Sequence, residues 1–460
     1  MFVGREEELK KLNDYTKNGD AVLIYGLRRV GKTTLVKETM KRNGKKHVYY
    51  ECVKASEKQN VQYFIDLLKE QITFPDVLFN DFLSLFKYLD SFVRDYTFVV
   101  DEYSYLKEYY LTSKKRDSIQ EAQRIDSSFQ KIIDEYLKNN SIVLCGSSVS
   151  IMKGLIEYNS PLYDRFDFVL HLKEFNYLDI KNFFPNKDNK YILEVYSVFG
   201  GSPNVISKVD GESDLKENIK ELLLKQDSKV MNHININIFN EFEKDYDLNN
   251  VLNAIRNGAK TYGDISKKSH IETNGLLDKK LKKLIDLELI EKIYPINMED
   301  DNKKCLYEIK DNILKFYYSY IFSKDNLISL LGEERYYNEY IVKSIREFIS
   351  RRFERVVRDY FSISLKKGLF NNVIGIGSYF SSNNEFDCVL KKNDKTYAIY
   401  EAKYFSKPLS ENIQIDEIDK IKSIKGLKVN EIGFVSSSGY EKRIEGIKYI
   451  EFNDLFFTKR

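Results

Sequence analysis

The chain has 460 residues, 42% of them hydrophobic and 31% charged, and its 73 lysines and arginines almost balance 70 aspartates and glutamates. That length divides into roughly two to four domains, each able to bury a core. The near-balance of charge excludes a bulk-charge argument for a nucleic-acid partner, so only local patches can carry one. Cys52, Cys145, Cys305 and Cys388 lie far apart with no C-x-x-C pair, and there are only four histidines. A zinc site or a disulfide framework is therefore not expected, and the cysteines read as reduced core residues.

Taken in chain order, charge begins at Arg5 before any apolar stretch, so no signal peptide is expected. No run approaches the roughly 18 apolar residues of a membrane span. The expected location is cytoplasmic, with no membrane partner. Ala21-Val22-Leu23-Ile24-Tyr25 predicts a buried strand, and Leu35-Val36-Lys37-Glu38-Thr39-Met40 suits a helix. Between them stands Gly26-Leu27-Arg28-Arg29-Val30-Gly31-Lys32-Thr33-Thr34, which reads G-x-x-x-x-G-K-T. Glycines let such a loop close around an oxyanion, and successive N–H groups with a helix N-terminus supply a positive field. Lys32 is expected on the terminal phosphates and Thr33 on Mg²⁺, so the segment predicts a nucleoside-triphosphate site. Thr97-Phe98-Val99-Val100 is a second buried-strand run ending in Asp101-Glu102. Asp101 is the expected metal residue and Glu102 the expected catalytic base. A third run, Ile142-Val143-Leu144-Cys145, leads into Gly146-Ser147-Ser148, where a hydroxyl of Ser147 is expected to report on the γ-phosphate.

The opening Phe2-Val3-Gly4-Arg5-Glu6-Glu7-Glu8-Leu9 resembles the F-x-G-R-x-x-E-L start of archaeal-type ATPases, in the signal-transducing (STAND) branch close to the AAA+ proteins. Further elements follow in that family's order: the loop 26–34, Val99 to Glu102, Gly146-Ser147-Ser148, Ser160-Pro161-Leu162-Tyr163-Asp164-Arg165 and Gly200-Gly201-Ser202-Pro203. The resemblance covers about the first half of the chain. It implies an adenine nucleotide, with Gly4 and Arg5 near the base or ribose and the Gly201–Pro203 element packed on the adenine. By the same analogy Arg165 lies near the phosphates, where it would neutralise charge developing during hydrolysis; a salt-bridged structural corner is the competing reading. A homo-oligomer in which Arg165 acts on a neighbour is compatible with this.

Residues 176–240 alternate helical apolar patterns with charged stretches and are expected to be a helical lid on the ATPase core, residues 1–175. Residues 245–310 read as a winged helix. A first helix begins at Val251-Leu252 and stops near Gly258, a short second one has Ile265 inward, and Thr273 or Asn274 caps a third carrying Leu276, Leu277, Leu281, Leu284 and Ile285. Leu289-Ile290-Glu291-Lys292-Ile293-Tyr294 and Cys305-Leu306-Tyr307-Glu308-Ile309 then alternate across the polar turn Glu299-Asp300-Asp301-Asn302. Lys279, Lys280, Lys282 and Lys283 would give the third helix a basic face suited to DNA phosphates, although such a face is also ordinary solvated surface.

After a helical linker (311–345), the last expected domain is 346–460. Residues 346–360 predict a helix containing Glu354, with Phe348, Ile349, Phe353, Val356, Val357 and Phe361 as its apolar stripe. Two strand patterns follow, one holding Asp387 and one holding Glu401 and Lys403, which point to the same face because side chains alternate. Two carboxylates and a lysine suit Mg²⁺-dependent phosphodiester hydrolysis, the acids holding the metal and the lysine orienting or deprotonating the water. The pattern resembles the PD-(D/E)xK restriction-endonuclease-like fold, with Glu354 as the supplementary helix acid and Gln414 as a later helix residue; Phe386 replaces the proline ahead of the aspartate. The predicted whole is an α/β protein: a P-loop NTPase (AAA+-like) domain with a helical lid, a winged helix and a nuclease-like domain. It implies ATP, Mg²⁺ and DNA, with ATP state controlling the C-terminal domain. The alternative is a STAND-type switch whose nuclease-like domain is an inactive scaffold for DNA or protein.

Overall fold

The computed structural model describes residues 2–112, 116–137, 140–231, 234, 245–298, 304–370, 372–381 and 384–456, apart from the side chains at positions 116, 117 and 387. They form two compact units, Met1–Glu174 and Phe175–Arg460.

The first unit is built on β1 (Ala21–Tyr25), β2 (Lys46–Glu51), β3 (Tyr96–Asp101), β4 (Ser141–Gly146) and β5 (Phe168–His171), in the order β2-β3-β4-β1-β5. All four pairings are parallel. Every residue of β1, β3 and β4 is buried, which follows from covering a parallel sheet on both faces. Alternate residues of β1 serve opposite faces. Leu23 and Tyr25 join a core with Phe64, Phe86 and Phe98, whereas Val22 and Ile24 join one with Leu9, Leu12, Leu35 and Val36. The latter core seats the helices Glu6–Asn18 and Lys32–Asn43. Because the strands run the same way and Tyr25 pairs with Gly146, the segments after β1, β3 and β4 leave the sheet at one end. Ligand sites of open α/β sheets lie at that carboxyl end.

The main core of the second unit has buried side chains from Phe175 to Phe456, and smaller clusters form around Val389 and Ile399 and around Leu409 and Phe434. The helices Tyr246–Arg256, Tyr262–Ser269 and Leu276–Asp286 precede an antiparallel pair, β6 (Ile290–Ile293) and β7 (Leu306–Ile309). The third helix starts from Gly275, at φ 86°, and not from Thr273 or Asn274 as expected. Asn274 nevertheless accepts from the Leu276 N–H at 3.3 Å. The expected turn at 299–302, and much of the end of the expected lid (232–233 and 235–240), lie outside the described residues. Within 311–345, the helices Asn312–Tyr320 and Glu333–Tyr336 supply fully buried Phe316, Tyr318 and Tyr336.

A long helix, Ile345–Lys366, then packs its Phe348, Ile349, Phe353, Val356, Val357 and Phe361 inward. The final sheet has the order β12-β11-β10-β9-β8, from β8 (Val373–Phe380), β9 (Glu385–Lys392), β10 (Tyr397–Lys403), β11 (Val429–Ser436) and β12 (Lys448–Glu451). β8, β9 and β10 are antiparallel neighbours, while β10, β11 and β12 are parallel. The helix Glu411–Lys422 links β10 to β11, as a parallel connection requires. All four cysteines are buried.

Candidate nucleotide site

At the carboxyl end of β1 the chain turns at Gly26, where a Cβ would come within 2.1 Å of the Leu172 carbonyl oxygen. Only glycine fits there. The loop passes Arg29 and Gly31 in the left-handed region, at φ 67° and 94°, and enters the helix Lys32–Asn43. Arg28 and Arg29 are exposed, Val30 is buried, and Thr34 faces solvent. Lys32 is only 5% exposed. Its Nζ donates to the carbonyls of Gly26 and Leu27, both at 2.8 Å. Burial pulls its ammonium below the ordinary lysine value, against Cys145, Glu102 and Asp101, which act to raise it. Neutral carbonyls leave this charge uncompensated at contact distance, the condition under which an anion is attracted to it.

β3 delivers the acids. Asp101 is 2% exposed and each of its two oxygens accepts at least one hydrogen bond. Oδ2 accepts from the Thr33 hydroxyl at 2.9 Å and from the Tyr49 hydroxyl, while Oδ1 accepts from the Glu102 N–H at 2.9 Å. Glu102 sits in the left-handed region at φ 51°. Its Oε2 accepts from both the N–H and the hydroxyl of Ser147, at 3.1 and 2.8 Å. Four residues named from three separate sequence segments thus meet at one end of the sheet: Thr33, Asp101, Glu102 and Ser147.

The remaining candidates divide. Gly4 and Arg5 both take left-handed backbone angles, φ 71° and 64°. Arg5 donates to the carbonyls of Val30 (3.4 Å) and Lys173 and pairs with Glu8 at 3.3 Å, which ties the N-terminal segment to the loop. Arg28 reaches the Tyr105 hydroxyl at 3.1 Å. Arg165 pairs with Asp134 at 2.9 Å, the geometry of a salt-bridged corner. Pro203 belongs to the second unit and opens the short helix Pro203–Ile206. Gly201 beside it is obligatory, since a Cβ would lie 1.9 Å from the Phe175 carbonyl. Tyr49 was missed by sequence reasoning, because a tyrosine in a half-buried strand carries no motif.

In the second unit Glu401 and Lys403 share a face of β10, as alternation requires. Lys403 Nζ lies 3.1 Å from Glu401 and 3.0 Å from Glu417 of the helix Glu411–Lys422. Lys420 adds a second contact to Glu417 at 3.3 Å. Burial alone would lower the Lys403 ammonium, but Glu401 and Glu417 together hold it above its ordinary value. These groups, with Glu354, Arg358 and Glu385, line a cleft of about 850 Å³. Asp387 belongs to β9, the antiparallel neighbour of β10. The Asp387 side chain lies outside the described residues.

Among the described residues no group of three or more His, Cys, Asp or Glu side chains gathers where it could hold a metal ion. The expected set of Asp387, Glu401 and Glu354 includes one side chain outside those residues; of the other two, Glu401 contacts Lys403. Gln414 lies in the helix Glu411–Lys422 and is buried; it donates to the carbonyls of Leu409 and Lys442 and accepts from the Tyr449 hydroxyl at 2.6 Å, so it braces that helix. The basic face expected on Leu276–Asp286 is partly compensated. Lys280 pairs with Asp245 and, at 3.1 Å, with Asp247, and Lys283 approaches Asp245 at 3.8 Å. Lys279 and Lys282 are exposed.

Residues 2–209 match a family described as an ATPase domain predominantly from Archaea, and residues 317–417 match one described as archaeal and bacterial proteins of unknown function. An uncharacterized protein of Methanocaldococcus jannaschii is 30% identical over 412 residues, covering 88% of each chain. The chain belongs to this family of archaeal-type ATPases. Among solved structures, this ATPase is similar to a Walker-type ATPase of Pyrococcus abyssi, with a TM-score of 0.50 and 19% identity over 69% of this chain and 96% of that one. That likeness shows the fold, a parallel-sheet P-loop NTPase domain. The ORC2 protein of Aeropyrum pernix matches at TM-score 0.42 and 14% identity, over 71% and 94% of the two chains. The family binds adenine nucleotide through this domain. Among the described residues, no helix of the archaeal-type ATPase is long and apolar enough to cross a membrane.

Proposed function

We propose that this archaeal-type ATPase hydrolyses ATP with Mg²⁺ in its first unit, and that nucleotide state governs the action of the second unit on DNA. The observation that carries the reading is the convergence of Thr33, Asp101, Glu102 and Ser147, with Thr33 and Asp101 2.9 Å apart. A hydroxyl and a carboxylate are the hard oxygen donors that Mg²⁺ selects, so the residues present fit that ion. Thr33 and Asp101 would hold it, and when bound it supplies charge neutralisation to the phosphates.

The N–H groups of residues 26–34 and the Lys32 ammonium bind and orient the phosphates. Glu102 takes the proton of the attacking water at its carboxylate. Ser147 donates to one oxygen of that carboxylate, Oε2, and so orients it. From the family resemblance, Gly4, Arg5 and Pro203 serve the nucleoside, while Arg28, Arg29 and Arg165 balance charge around the phosphates. The direct test is Mg²⁺-dependent ATP turnover by the full chain beside Lys32→Ala, which should bind ATP far more weakly and lose turnover.

For the second unit, three helices with the β6–β7 pair support a winged helix. The β8–β12 sheet with its long helix supports a PD-(D/E)xK nuclease-like module. Glu401, Lys403 and Glu354 around one cleft, with Asp387 on the neighbouring strand, favour a Mg²⁺-dependent nuclease controlled by ATP. One observation favours the other reading, a switch that uses an inactive module as scaffold: Lys403 is already clamped between two carboxylates. Mg²⁺-dependent cleavage of single- and double-stranded DNA, with and without ATP, separates the two. Cleavage abolished by Asp387→Ala supports the nuclease; intact DNA under conditions of ATP turnover supports the scaffold.

A further inference from the structure

Asp101 has one more hydrogen-bond donor than the Walker-type segments supply. The Thr33 hydroxyl comes from the helix after the loop and the Glu102 N–H from the adjoining peptide, and both follow from the motif. The third, the Tyr49 hydroxyl, comes from β2, a strand to which the sequence reading assigned nothing. The register explains the meeting. Tyr49 pairs with Val99 and Glu51 with Asp101 along the parallel β2–β3 ladder. Side chains two residues apart share a face, so Tyr49 stands on the Val99 and Asp101 side of the sheet, one step back from the carboxylate. Its ring is held from above by the Lys37 ammonium, 4.6 Å from the ring centre, which belongs to the same helix as Thr33. The phenol is therefore fixed at both ends, its ring by the helix and its hydroxyl by the strand acid.

We propose that Tyr49 is a positioning residue for the nucleotide-bound Mg²⁺ site: its hydroxyl fixes the plane of the Asp101 carboxylate so that the acid's free lone pair faces the ion. This rests on the reading of Asp101 as a Mg²⁺ residue. Hydrogen-bond partners behind a metal-binding carboxylate commonly matter by one to two orders of magnitude in metal affinity or activity. A carboxylate at a strand end is the kind of ligand that such a partner orients, here beside the Thr33 hydroxyl, the Glu102 N–H and the buried Cys145 thiol.

The test uses the full-length protein with Mn²⁺ as the paramagnetic probe, titrated in the presence of ADP and followed by electron paramagnetic resonance. Wild type is compared with Tyr49→Phe and Asp101→Asn. Tyr49→Phe keeps the ring and its contact with Lys37 and removes only the hydroxyl. Its Mn²⁺ affinity should fall about tenfold, while the melting temperature stays near wild type and the affinity for ADP without metal is unchanged. In steady-state turnover the Mg²⁺ concentration for half-maximal rate should rise by a similar factor, with KM for ATP at saturating Mg²⁺ within about twofold. If Asp101→Asn loses Mn²⁺ while Tyr49→Phe binds it as wild type does, the positioning role is overturned and the Asp101 reading stands. If Asp101→Asn binds Mn²⁺ like wild type, the Asp101 reading fails and the role of Tyr49 falls with it.

Discussion

Lys32 and Lys403 are both largely buried and both lie where the sequence points to phosphate chemistry, yet their surroundings are opposite. Lys32 is held by two carbonyl oxygens of its own loop, and burial depresses its ammonium. Lys403 is held by two carboxylates, which outweigh burial and stabilise its charge. A buried cation that touches only neutral dipoles keeps an unmet attraction for an anion; one already paired with two anions does not. The first arrangement is poised for a ligand and costs stability. The second is self-contained and contributes stability, so a substrate phosphate there must compete with Glu401 and Glu417.

The largest expected effect that sharpens this contrast is on Lys32. Lys32→Ala should weaken ATP binding by about a hundredfold or more, the loss of a charge-assisted contact in a dry site, measured by calorimetric titration. The same change should leave the unfolding midpoint equal or higher, because a depressed ammonium is removed from the interior. Lys403→Ala should do the reverse for stability. Glu401 and Glu417 lose their cation, and unfolding in urea should show a loss of about 2 kcal/mol, below the range for a fully buried broken pair because some water reaches the site. A Lys403→Ala protein as stable as wild type would break the comparison.

The acid limb gives a smaller effect. Burial would raise the Glu417 carboxyl, but its hydrogen bond and attraction to Lys403, with Lys420, hold it below the ordinary glutamate value. A depressed acid adds stability that is complete above the unfolded value of about 4.3 and is lost as pH falls through the folded value. Glu417→Gln should therefore flatten the decline of stability below about pH 4.3 while lowering the plateau at neutral pH. Smallest of all, Arg165→Ala should change stability by no more than about 0.5 kcal/mol, since its partner Asp134 and the guanidinium are each about a third exposed (38% and 35%). A fall in ATP turnover on that background would identify a role in hydrolysis beyond the corner it braces.

What was legible in the sequence follows from locality. The strand–loop–helix around Lys32 and the strand ending in Asp101-Glu102 are each contiguous, and parallel strands bring their carboxyl ends together without further information. Thr33, Asp101, Glu102 and Ser147 could be named for that reason. Tyr49 could not, because its partner is 52 positions away in the chain and its strand has no distinguishing pattern. Glu417 was hidden among Glu411, Asp416 and Asp419 on the same helix, since nothing local shows which acid faces β10. Gln414 drew notice instead, although its amide is consumed by internal bonds. The partial compensation of Lys280 and Lys283 by Asp245 was equally out of reach, being a pairing of the third helix with the residue ahead of the first.

ATP binding and turnover by Glu102→Gln, measured side by side with wild type, test the proposed hydrolytic site most directly. The carboxamide keeps the size of the side chain and cannot take a proton from water. ATP should bind about as tightly as to wild type, while turnover falls by a factor of about 10² to 10⁴, the range for loss of a general base. Turnover equal to wild type would contradict the assignment of Glu102 and leave Asp101 and Lys32 to be explained without it.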